Sequence, residues 1–184
     1  MVRIRPLLLG WLRDEHGSVT IEFVLWTPFL CTWLVISAVL FDAYKSRYDA
    51  AKAAHTLSDI ISREVEVDDA FFLDLYELQE RLLPRAPAGA RLRVTSIQYL
   101  AEDEEEDERY RVLWSEGLGG ADPMVDETIP LRIMPEMANF DTVILTELHI
   151  PYRPFSDWAG IEVDTWSYRL VARPRFIAAI ARVE

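Results

Sequence analysis

The chain holds one cysteine, Cys31, among 184 residues. That excludes an intrachain disulfide framework and leaves the redox compartment unread. Cys31 lies inside an apolar run and reads as a small buried hydrophobe. Histidine is also sparse: His16, His55 and His149 sit in three separate segments and read as surface or packing residues. No CxxC or HExxH spacing occurs, so neither a metal site nor a cofactor is expected. Positive charge is in deficit, with 19 Lys and Arg against 31 Asp and Glu and a net charge of −12. A nucleic-acid partner needs clustered Lys and Arg and is therefore not expected. The stretch "GLGG" at 117–120 lacks the Lys-Ser/Thr and the following helix of a phosphate loop, and reads as a flexible linker. There is no G-x-S-x-G elbow and no carboxylate pair in a catalytic frame. The expectation is a non-enzyme with no small-molecule substrate.

What the chain does have is apolar length. Residues 23–41, "FVLWTPFLCTWLVISAVLF", run for 19 residues without a charge. At 1.5 Å per residue that is about 28 Å, close to a hydrocarbon core of about 30 Å. The run is too long for a signal-peptide core, and no A-x-A-like cleavage site follows it. Arg3, Arg5 and Arg13 precede it while Lys45, Arg47 and Lys52 follow, so charge leaves its orientation balanced. Trp26 and Trp33 lie seven apart on one helix face, toward lipid or toward partner helices. Helical periodicity continues past the run. Ala50, Ala54, Leu57 and Ile61 form one apolar stripe, and no Gly or Pro occurs between Phe29 and Glu64. A single helix from about Ser18 to Arg63, roughly 69 Å long, is predicted. Pro28 cannot bond the Val24 carbonyl, so a kink or loosened turn is expected there. Glu22 stands at the mouth of the run, where a carboxylate costs up to about 2.5–3.5 kcal/mol if carried to the bilayer centre.

Beyond residue 64 the pattern changes to that of a soluble head. Asp68 is a plausible N-cap for a helix carrying Phe71, Phe72, Leu75, Leu78 and Leu82, stopped by Pro84. Four strands are predicted near 90–100, 109–115, 141–150 and 165–173. Their apolar faces carry Leu92 and Val94; Tyr110, Val112 and Trp114; Ile144, Thr146, Leu148 and Ile150; and Trp166, Tyr168 and Leu170. The run "EDEEEDE" at 102–108 joins the first two strands as a hairpin tip. Its oxygens suit calcium, but without the spacing of a calcium loop it reads as a solvated turn or an electrostatic knob for a basic neighbour. The tail "RFIAAIARV" either forms a short helix or trails off. The expected class is α+β, with about four antiparallel strands and one further helix on the second half of the long helix.

One resemblance organises these features. Gly17, four residues, then Glu22 and Phe23, opening an apolar helix after a short charged leader, resembles the cleavage motif of type IV prepilins. With "RVLWSEG" at 111–117, "MPEMANFDTVILTELHIPYRPF" at 134–155 and "ARPR" at 172–175, the chain is most similar to the TadE-like minor pilins, or pseudopilins, of Tad/Flp pili. It departs from that pattern in the acidic insertion at 101–108 and in the extension after Arg175. The resemblance implies a leader at 1–17, a transmembrane half-helix at 18–41, its extramembrane half at 42–64 and a pilin-like head at 65–184. It implies cutting between Gly17 and Ser18 by a prepilin peptidase, with the N-terminus cytoplasmic and the head periplasmic or extracellular. The implied partners are that peptidase, other pilins, Tad assembly-platform proteins and the inner membrane. Cutting would free an α-amine on Ser18, with a pKa near 8. That amine would pair with Glu22, within one chain or between neighbours, and set helix register; an interfacial Glu22 snorkelling to headgroups is the plainer reading. The rival to the pilin is an uncleaved single-pass protein with a periplasmic sensing or ligand-binding domain.

Overall fold

The computed structural model describes residues 18–84, 89–101, 109–156 and 164–183. Helix α1, Ser18–Ile61, runs 44 residues, about 66 Å at the standard rise. It is followed by β1 (Glu66–Val67) and helix α2 (Asp69–Leu82), then strands β2 (Arg91–Leu100) and β3 (Arg109–Leu118). Two short 3-10 turns, Asp126–Thr128 and Leu131–Ile133, precede β4 (Thr142–Tyr152), β5 (Asp164–Ala172) and β6 (Ala181–Arg182). The chain is α+β, as its patterning implies.

Four strands form one antiparallel sheet in the order β3-β2-β4-β5. One face of it lies on the second half of α1. Small residues make the close approach possible: Ala50, Ala53 and Ala54 are fully or almost fully buried, as are Leu57 and Ile61. Each fully buried Leu or Ile contributes roughly 1.5–3 kcal/mol of transfer free energy. The predicted Ala50–Ala54–Leu57–Ile61 stripe is therefore the seam. Leu92, Val94, Ile144, Leu148 and Ile150 meet it from the sheet. Helix α2 closes the side of this core with Phe72 and Leu75. Its predicted cap is present: the Asp68 carboxylate accepts the Phe71 N–H at 2.7 Å. Chain direction is set by contacts along α1. The Tyr152 hydroxyl donates to Asp42 and the Tyr168 hydroxyl to the Arg47 carbonyl, whereas Arg175 reaches Asp59. The end of β4 thus lies beside the start of the helix's covered half, and its beginning lies farther up.

Three expectations need correction. Tyr110, Val112 and Trp114 do not share a face. Ser96 pairs with Trp114 but Ile97 pairs with Val112, so Leu113 is an extra residue in β3. That bulge reverses the alternation. Trp114 turns to the helix side and donates its indole N–H to the Ile180 carbonyl, while Tyr110 and Val112 face the other way. Next, "GLGG" does not open a loose linker. Strands β3 and β4 both flank β2, so they are parallel to each other and need a crossover. Residues 119–141 supply it across the sheet's second face, burying Met124 and Ile129 against Ile97, Val143 and Leu145. Gly119, at φ +67°, sits where a Cβ would meet the Ala90 carbonyl oxygen, which explains a glycine at that step. Finally, the tail is neither helix nor loose end. It buries Ile180 and adds β6 parallel to β1, with Arg182 bonded to Asp69 and Glu116.

Candidate assembly helix and the junction above it

The first half of α1 extends away from the head. Ile21, Phe23, Val24, Leu25, Trp26, Phe29 and Leu30 are all exposed, as are Trp33 and Leu34. Only 6% of the helix's most apolar 18-residue window is buried. A soluble fold does not leave a contiguous apolar rod of this size bare. Three hydroxyls along it are satisfied inside the helix. Thr27 donates to the Phe23 carbonyl at 2.6 Å, Thr32 to that of Pro28 at 2.8 Å, and Ser37 to that of Trp33 at 2.8 Å. Such back-bonding removes hydroxyl donors from the surface, which a hydrocarbon solvent requires. Length, composition and exposure together make α1 the single candidate membrane span among the described residues, and the chain reads as a single-pass membrane protein.

The predicted site residues fall along this rod. Gly17, the leader and His16 lie outside the described residues. Ser18 is the first described residue and is already helical. Glu22 is exposed four positions on, and Phe23 beside it is 68% exposed. Pro28 lies within an α-helix that is assigned continuously on both sides of it. Trp26 stacks edge-on against Phe29 at 5.8 Å and, like Trp33, faces outward. Cys31 is exposed, not buried as expected, because the head does not reach that far down the helix. The acidic tip at 102–108 lies outside the described residues.

Along the helix, full burial sets in at Val39, and Ala43 follows one turn on. Two aromatic contacts fix the joint: Tyr152 against Trp166, with ring centroids 5.4 Å apart, and Arg47 over the Trp166 ring at 5.9 Å. Burial, then the charge and hydrogen bond of Asp42, raise Tyr152 above its usual 10.0. The phenol therefore stays protonated and keeps donating to Asp42 at 3.2 Å.

Sequence reasoning missed a buried charge. Glu147 is 1% exposed on the crossover side of β4. It pairs across β2 and β5 with Arg93 and Arg169, whose Nε atoms lie 2.6 and 2.9 Å from its two oxygens. His149, two residues on, meets the Ser167 hydroxyl at 2.9 Å. Burial lowers its pKa below 6.5, Glu147 opposes that, and Arg91, Arg169 and Arg93 add to it. Among the described residues no three His, Cys, Asp or Glu side chains are placed to hold a metal. No protein-family model, curated protein or solved structure matches the chain.

Proposed function

We propose that this chain is a TadE-like minor pilin: cut after Gly17 by a prepilin peptidase, held in the inner membrane by α1, and then drawn into a Tad-type pilus. One observation carries the reading. A single helix is bare and apolar for its first half and roofed by an α+β head for its second. Bare apolar helices can trade lipid for one another at little cost in exposed surface, which makes a bundle of such rods a natural second environment. The head stays outside that bundle, fixed to the helix by the alanine seam.

Glu22 supplies the register. It lies exposed on the rod, where an unpaired carboxylate is costly in lipid. A free Ser18 amine, created by the cut, would offset that charge within the chain or from a neighbour. Glu22→Ala tests the mechanism. Cleavage should persist while the amount recovered in sheared fibres falls severalfold against wild type. Normal incorporation of the variant would count against the pairing. The rival is an uncleaved single-pass protein with a periplasmic sensing or ligand-binding domain, in which the leader stays attached.

A further inference from the structure

A cleft of ≈ 300 Å³ opens where the head meets the helix, just above the uncharged run. That volume lies at the lower end for small-ligand pockets. Asp42, Lys45 and Asp49 line it from α1, and Tyr152 and Arg153 from the end of β4. Leu83 and Ile150 give it an apolar wall. Two acids and two bases therefore face one cavity. The acids and bases do not neutralise one another: Lys45, Asp49 and Arg153 form no ion pair with any described residue, and Asp42 is occupied only by the Tyr152 hydroxyl.

The height of the cleft identifies what reaches it. The last uncharged residue of the run is Phe41. Lys45 stands four residues above it and Asp49 eight, about 6 and 12 Å along a helix. The polar layer of a leaflet is about 5–8 Å deep. Lys45 is then level with phospholipid headgroups, and its long side chain reaches down into that layer. Asp49 stands one turn higher, with its side chain tilted back toward the layer as on any helix, at the height of a headgroup's outer end. We infer that the cleft holds the headgroup of a zwitterionic phospholipid bearing a primary amine, its phosphodiester on Lys45 and Arg153 and its ammonium on Asp49. A free phosphate-amine compound has the same chemistry, but the bilayer presents the lipid at this height at a far higher local concentration. The inference requires α1 to cross a bilayer; it does not require residues 1–17 to be removed, so the two stand or fall separately.

The test uses the full chain in nanodiscs of matched acyl chains, with bound lipid counted by native mass spectrometry after gentle extraction into detergent. Phosphatidylethanolamine should be retained at about one molecule per chain and phosphatidylglycerol at least severalfold less. Lys45→Ala with Arg153→Ala should lower retention about tenfold. Both side chains are exposed and unpaired, so the fold should persist, and unchanged circular dichroism would check that. Asp49→Asn should erase the preference for the amine. Lys52→Ala, a nearby cation outside the cleft, should change nothing. Equal retention of the two lipids, or an effect of Lys52→Ala as large as that of the double variant, would overturn the inference. So would displacement of the lipid by soluble glycerophosphoethanolamine at equal concentration, which would make the free headgroup the ligand.

Discussion

Replacing Glu147 by Gln probes the one carboxylate among the described residues that the fold has buried. Its side chain is 1% exposed, against 23% for Arg93 and 53% for Arg169. Arg93 places two nitrogens on Oε2, and Arg169 places Nε on Oε1 at 2.9 Å. Gln keeps the shape and one acceptor but removes the charge that neutralises both guanidiniums. Removing one partner of a buried pair costs about 3–5 kcal/mol, because the other charge is left unpaired. Here Arg169 is half in water and recovers solvation, whereas Arg93 does not. The expected loss is therefore about 3 kcal/mol, roughly a hundredfold in the unfolding equilibrium. Urea unfolding of the full chain in mild detergent, followed by the fluorescence of Trp114 and Trp166, reads it. Glu147→Leu with Arg93→Leu should cost less than Glu147→Gln alone, since it removes the stranded charge together with its partner. A loss under about 0.5 kcal/mol for Glu147→Gln, or a larger loss for the apolar pair, would refute the reasoning.

Two further outcomes concern Gln79 and His149. Gln79 is fully buried on α2, and neither its amide oxygen nor its nitrogen has a hydrogen-bond partner. Gln79→Met should raise stability by about 1 kcal/mol in the same urea assay, and destabilisation would mean that the amide is partnered in solution. His149 has a lowered pKa in the fold, so the unfolded chain takes up its proton first. Its contribution is complete above pH 6.5 and is lost as pH falls through the folded value. His149→Gln should flatten that acid-side slope, and an unchanged slope would assign it elsewhere.

The elements that were legible in the sequence are those whose partner is solvent or a single face. Ala50, Ala54, Leu57 and Ile61 announce a seam because a helix repeats its contacts every turn, whatever lies opposite. Asp68 and Pro84 bound α2 through purely local chemistry. Glu147 was not legible, because its two arginines are neighbours only once β2, β4 and β5 are in register. A cue did exist: "VIL" at 143–145 puts apolar residues on both faces of the strand, the pattern of a strand covered on both sides. The inserted Leu113 is likewise invisible to a period-two reading, which places Trp114 on the wrong side. The junction cleft draws on α1, the end of α2 and the end of β4, and no local pattern brings those three together. Its one sequence signal is that charges resume within a turn of the uncharged run, at Asp42 and Lys45.

The pilin reading rests on the removal of the leader. Intact-mass and N-terminal analysis of the native protein, purified from membranes of a host with an active prepilin peptidase, reads that step directly. The expected mature chain begins at Ser18; recovery of the chain with Met1 and its leader still attached would contradict the proposal.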